Sequence, residues 1–105
     1  TGKIHKLIVD RKMKKKDFLL ELKENDFVKF QKIADILITY YKIYDLEYNT
    51  NHHKIFSDIY LSNKPLSYID ISNRNFIAIE TFYKYKSKYN TLAEKLLLND
   101  NSIFV

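Results

Sequence analysis

Apolar residues recur at intervals of three and four along much of the chain, which is the spacing of one helical face. The first such segment runs from Lys14 to Glu24 and has Phe18, Leu19 and Leu22 on its apolar side. The pair Asn25-Asp26 then offers an N-cap for a longer helix. The apolar stripe of that helix comprises Phe27, Phe30, Ile33, Ala34, Leu37, Tyr40, Tyr41 and Tyr44. More apolar residues lie off the stripe and predict packing on more than one side, namely Ile36, Ile38 and Ile43.

Turn-forming residues at 47–51 end this central helix, and a third helix is expected from about His52 to Leu61. The clearest break is Ser62-Asn63-Lys64-Pro65, where the proline suits the first turn of a new helix. The last segment, from about Ile79 to Leu98, has the cleanest amphipathic spacing. Its inward residues are Phe82, Tyr85, Tyr89, Leu92 and Leu96. Since no sustained alternation with a period of two appears, we expect an all-α fold of about five helices.

The composition narrows the class of protein further. With 105 residues, 46% hydrophobic and 30% charged, the chain has the size and balance of one globular domain. One glycine and no cysteine exclude a glycine-rich phosphate loop, a disulfide framework and a cysteine-ligated metal. No apolar run is long enough for a membrane span or a signal peptide. We therefore expect a cytoplasmic protein with no membrane partner.

The formal charge of +5 is concentrated in two blocks. Residues 1–24 carry eight basic and four acidic groups, and residues 63–92 carry five and two. The basic run 11–16 is either a phosphate-binding arm or a plain basic tail. The chain begins with Thr1, and Met13 is a candidate native start, in which case residues 1–12 are a tag or a disordered arm. The alternative is that the stretch 3–9 forms a short native helix or strand. A fragment of a larger protein is the third alternative for the whole chain.

The second basic block coincides with the spacing of a helix-turn-helix. Such a unit needs an apolar and then a small residue on its first helix, which Ile71 and Ser72 supply. Six residues after Ile71 comes Ile77, which would plug the turn, and Ala78 then stands at the start of the second helix. In that second helix, Thr81 would be a polar contact residue, while Phe82 and Tyr85 would face the core.

The run Ile77-Ala78-Ile79-Glu80-Thr81-Phe82-Tyr83-Lys84-Tyr85 resembles the opening of the recognition helix in DNA-binding bacterial regulators. The resemblance is to the sigma-region-4-like small regulators of phages and mobile elements of low-GC Gram-positive bacteria, and it covers about thirty residues. Three positions depart from the pattern. Asn75 stands where an apolar residue is usual, Phe76 where glycine is usual, and Ala78 where a serine cap is common.

We expect one domain, 1–105, with a helical bundle at 13–62 and a tail at 99–105, and the resemblance implies a helix-turn-helix at 63–98. The resemblance also implies a transcription regulator that binds double-stranded DNA, uses no cofactor and is not an enzyme. Glu80 would read cytosine, and Ile79 or Thr81 would touch thymine methyl groups. Lys84 and Lys88 would contact DNA phosphates, and Arg74 and Lys64 would bind the adjacent DNA backbone. The outward face of the recognition helix would also carry Tyr83, Lys86 and Ser87.

Other functions remain as alternatives. The main one is a non-enzymatic helical module that binds a protein, such as RNA polymerase or a phage component, without touching DNA. The Tyr-rich central helix would support either the core or a homodimer interface. His5, His52 and His53 are the only histidines, and we expect the adjacent pair to lie on the surface at a helix start and not to bind metal. The acidic pairs Asp17 with Glu21 and Glu21 with Glu24 are expected on an exposed face without a catalytic partner.

Overall fold

The computed structural model describes residues 17–99, apart from the side chain of Asn99, and these residues form five helices and no strand. They are α1 (Phe18–Asn25), α2 (Phe27–Tyr48), α3 (His52–Tyr60), α4 (Tyr68–Arg74) and α5 (Ile79–Asn99). The predicted all-α fold is confirmed. The expectations for His5, for the arm at 1–12, for the run 11–16 and for most of the tail fall outside the described residues. Across 17–99, no helix combines the length and the apolar character needed to cross a bilayer.

Helix α1 begins at Phe18, later than the predicted Lys14, because two side chains satisfy its first free N–H groups. The Asp17 carboxylate accepts a hydrogen bond from Leu20 N–H at 3.2 Å. The amide oxygen of Asn90, on α5, accepts one from Leu19 N–H at 2.7 Å. The start of α1 is therefore held by a residue 71 positions away in the chain.

Helix α2 begins after Asp26, whose carboxylate accepts from Lys29 N–H at 3.2 Å, as the sequence predicts. Its inner side contributes Phe30, Ile33, Ala34, Leu37 and Tyr41 to the core. One expectation for α2 is wrong, because the stripe residues Phe27 and Tyr40 are about half exposed. Among the residues off the stripe, Ile38 packs against the core, Ile36 is half-buried and Ile43 is 64% exposed. Helix α2 contacts α1, α3 and α5.

The start of α3 depends on Asp45, which lies on the inner side of α2. The residue at the N-cap position, Asn51, makes no side-chain cap hydrogen bond. Instead the Asp45 carboxylate accepts from His52 N–H and His53 N–H, both at 2.9 Å, and from the Thr50 hydroxyl at 2.6 Å. This arrangement brings His52 into the core. The expectation of two surface histidines is therefore wrong for His52, which is only 4% exposed.

Helices α1, α2, α3 and α5 enclose the main core, which contains large aromatic side chains such as Phe18, Phe56, Tyr60 and Tyr89. Helix α4 contacts α3 and α5. It starts after Ser67, whose hydroxyl accepts from Asp70 N–H at 3.1 Å. Pro65 therefore lies in the loop before α4, and its predicted place in the first helical turn is wrong.

The turn between α4 and α5 spans 75–78, and Phe76 takes a left-handed backbone conformation with φ 56°. Glycine adopts this conformation without the clash that a Cβ atom causes. The Phe76 side chain is also 95% exposed, so it contributes almost no burial in return. The resembled pattern has glycine at this position, and the backbone found here explains why glycine would fit.

We expect Phe76→Gly to raise the free energy of unfolding by about 1 kcal/mol, because it relieves the left-handed strain and removes no buried contact. Phe76→Ala serves as the control, since it removes the ring and keeps the Cβ atom. Urea unfolding of the two variants and the parent chain measures the effect. Equal stability of the glycine and alanine variants would contradict the explanation by backbone strain.

Candidate nucleic-acid interface

The inward positions of the segment from α4 to α5 are occupied as the spacing predicts. Ile71, Ser72 and Phe82 are buried, and Ile77 and Tyr85 pack against the main core. Within the turn, Ile77 N–H donates to the Ser72 carbonyl oxygen at 3.0 Å. These contacts seat α5 against the rest of the chain and leave its other side toward solvent.

That outward side of α5 brings together part of the predicted site. Glu80, Tyr83, Lys84 and Ser87 are exposed and lie within two turns of one another. Ile79, the first residue of the helix, is also exposed. The Tyr83 ring is held against Tyr68 of α4, with the ring centroids 5.9 Å apart. An acid, a lysine, a hydroxyl and an aromatic ring therefore share one solvent-facing surface, which we call the α5 outward face.

Two residues of the predicted site lie at the edges of this face. Thr81 is half-buried, so less of its side chain is available for contact. Lys88 is exposed, but its ammonium lies over the Tyr44 ring of α2, 5.7 Å from the ring centroid. A cation over an aromatic face is attracted by the ring quadrupole. Lys88 is therefore directed toward α2.

The expectation that Lys86 lies on the outward face is wrong. Its ammonium is 3.3 Å from the Asp17 carboxylate, next to the start of α1. The carboxylate also accepts from the Tyr60 hydroxyl at 2.9 Å and 3.0 Å. Lys86 thus belongs to a polar group that joins α5 to α1 and α3.

The two predicted backbone clamps lie away from the α5 outward face. Lys64 is exposed in the loop between α3 and α4. Its N–H donates a hydrogen bond to the Ser62 hydroxyl oxygen, and that hydroxyl donates to the Lys64 carbonyl oxygen. Arg74, at the end of α4, reaches to within 3.7 Å of an Asp58 carboxylate oxygen on α3. The guanidinium is half exposed. It has more N–H donors than this one contact uses.

Asn75 has a function in the fold that the sequence did not reveal. Its side-chain amide donates to the Asp58 carboxylate at 3.0 Å and to the Ile71 carbonyl oxygen at 2.8 Å. Its amide oxygen accepts from Asn51 at 3.2 Å. A buried amide with these partners ties the end of α4 to α3. These hydrogen bonds compensate for burying a polar residue at position 75. The only sign of them in the sequence is a polar residue at a position where the resembled pattern has an apolar one.

His52 is another buried polar residue that the sequence did not place. Its Nδ1 atom is 2.7 Å from the Tyr89 hydroxyl oxygen, and the two share a hydrogen bond. Burial lowers the pKa of His52, the nearby Asp45 carboxylate opposes that shift, and the Lys88 ammonium adds to it. Four tyrosine rings surround the imidazole, those of Tyr41, Tyr44, Tyr85 and Tyr89.

The His53 ring N–H at Nδ1 donates to Asp45 at 2.6 Å, beside an open cavity of about 420 Å³. Over the described range, no three histidine or carboxylate side chains converge in a group suited to a metal ion. Burial alone would raise the pKa of Asp45, but hydrogen bonds from His53, Thr50 and His52 outweigh it and lower that pKa to about 2. Asp45 therefore stays ionised and serves as the cap of α3.

Compared with protein-family models, with curated proteins and with solved structures, the chain gives no significant match in any of the three.

Proposed function

We propose that this chain binds double-stranded DNA through the segment from α4 to α5 and regulates transcription without a cofactor or a catalysed reaction. The observation that carries the proposal is the division of α5 into two faces. Phe82, Tyr85 and Tyr89 face the core, while Glu80 and Lys84 stay in solvent near the start of the helix. A helix that enters the major groove presents its N-terminal residues in this way.

The side chains on the α5 outward face suit base and phosphate contacts. Glu80 can accept a hydrogen bond from cytosine N4, and Ile79 can contact a thymine methyl group. Lys84, one turn further on, can neutralise a phosphate. Arg74 retains free donor capacity beside its contact with Asp58 and can approach the DNA backbone at the end of α4.

The variant Lys84→Ala tests this interface, and Lys95→Ala is the matched control. Both lysines are exposed on α5, and the control lies eleven residues further along, about 16 Å down the axis. We expect Lys84→Ala to weaken binding to a labelled random-sequence duplex roughly tenfold at low salt and to reduce the salt slope by about 1. Lys95→Ala should leave both quantities near the parent values. Equal effects of the two substitutions would contradict the assignment of the interface.

One observation favours the second candidate, a helical module that binds a protein such as RNA polymerase. The fully exposed ring of Phe76 stands in the turn beside the α5 outward face, and aromatic side chains are enriched in the centres of protein interfaces. In that case Phe76→Ala would abolish binding to the protein partner. Neither the parent chain nor the Lys84→Ala variant would then bind duplex detectably.

A further inference from the structure

The outward side of α2 carries an apolar strip that no other part of residues 17–99 covers. It consists of Ile36, Tyr40, Ile43 and Leu46, which follow one another at intervals of three and four residues. Leu46 is 87% exposed, Ile43 is 64% exposed and Tyr40 is 49% exposed, while Ile36 is half-buried. The strip lies across the helix from Leu37 and Tyr41, which pack in the core. Exposed apolar side chains grouped in this way mark a surface that another molecule covers.

The charges beside the strip indicate which molecule that is. Asp35 and Lys42 are both exposed, and because they are seven residues apart they lie on the same flank of the strip. Thr39 lies between them. If two copies of α2 pack antiparallel across Thr39, each Asp35 comes to within one residue, about 1.5 Å along the axis, of the level of Lys42 of the other copy. Each Ile36 comes equally near the level of the other Ile43. A parallel pairing would place like charges together at both positions.

We propose that a second copy of this chain covers the α2 strip, with the two α2 helices antiparallel about a twofold axis near Thr39. A twofold interface uses the same patch on both copies, so the patch must complement itself. The strip meets this condition because Asp35 and Lys42, which carry opposite charges, lie four residues before and three residues after Thr39. The inference does not rest on DNA binding, since the oligomeric state is measured without nucleic acid.

Charge reversal provides the test, using the full chain in sedimentation equilibrium at micromolar concentrations and low salt. Asp35→Lys alone and Lys42→Asp alone each place like charges opposite one another and should raise the dimer Kd about tenfold. An equimolar mixture of the two single variants should associate again as a heterodimer, because both opposing pairs are then attractive. The double variant should associate like the parent chain.

Ile43→Glu should raise the dimer Kd roughly a hundredfold, because it puts a charge at the centre of the strip. Leu98→Glu, which changes an exposed apolar residue on α5, should leave the Kd unchanged. Circular dichroism of each variant verifies its helical content. The proposal is overturned if the parent chain is a monomer at every concentration, as it would be if residues 1–16 or another protein covers the strip. It is also overturned if the mixture associates no better than each single variant.

Discussion

Replacing Asn90 by leucine should lower the free energy of unfolding by about 3 kcal/mol. Asn90 is buried on α5, and its amide oxygen holds the first turn of α1 through Leu19 N–H. Its amide nitrogen donates to the Tyr60 hydroxyl at 3.1 Å and to the Lys86 carbonyl oxygen at 2.9 Å. Leucine would leave the Leu19 N–H without its acceptor and the Tyr60 oxygen without its donor. Each buried polar group left unsatisfied costs about 1–3 kcal/mol.

Urea unfolding at constant pH measures this loss. Asn73→Leu is the matched control because it makes the same chemical change at an exposed position of α4. The control should stay within about 0.5 kcal/mol of the parent chain. If Asn90→Leu proved as stable as Asn73→Leu, the connection from α5 to α1 would not be a significant source of stability.

Acid should destabilise the chain in two steps, the first of which begins at about pH 6.5 and is due to His52. In the unfolded chain a histidine titrates near pH 6.5, whereas burial lowers the pKa of His52 in the fold. Above pH 6.5 the ring is neutral in both states and imposes no penalty. As the pH falls below 6.5, the unfolded chain binds a proton that the folded chain resists. Stability should therefore drop by up to about 1.4 kcal/mol per pH unit until the folded pKa is reached.

The second step belongs to Asp45, whose pKa is lowered from 3.8 to about 2. Its carboxylate stabilises the fold fully above its unfolded pKa. That contribution, about 2 kcal/mol, is lost as the pH falls from about 3.8 to about 2. The helix α3 loses its N-terminal cap when Asp45 is protonated, because its carboxylate accepts both His52 N–H and His53 N–H.

Thermal unfolding from pH 7.5 down to pH 2 measures both steps. His52→Asn carries a side-chain amide that reaches the Nδ1 position toward Tyr89 and does not titrate. In this variant the loss of stability below pH 6.5 should shrink markedly, while the step below pH 3.8 should remain. A variant with an unchanged first step would show that another group produces it.

The fold class followed from the sequence because the helical periods are clean and the caps of α2 and α4 are local. Asp26 satisfies the first turn of α2 three residues away, and such short-range chemistry is visible in a sequence. The exposure of Tyr40 was not visible, because α2 has more apolar residues than its neighbours can cover. Which of them stay outside depends on where α3 and α5 pack, and those contacts are long-range.

The buried polar residues were the hardest to foresee. Asn90 and His52 are polar residue types that usually prefer the surface, and each becomes acceptable in the core through partners distant in the chain. The α5 outward face was easier, since Glu80 and Lys84 oppose a strong apolar stripe. Lys86 was misplaced because its direction is set by Asp17, which the helical period of α5 does not encode.

The central claim, binding to duplex DNA, is tested most directly by the salt dependence of that binding. The measurement is the association constant of the intact chain with a labelled random-sequence duplex across a series of salt concentrations. We expect detectable binding at low salt and a linear fall of log K with log salt, with a slope of roughly −3 or steeper as several phosphates are neutralised. The absence of detectable binding to the duplex at the lowest salt concentration would contradict the claim.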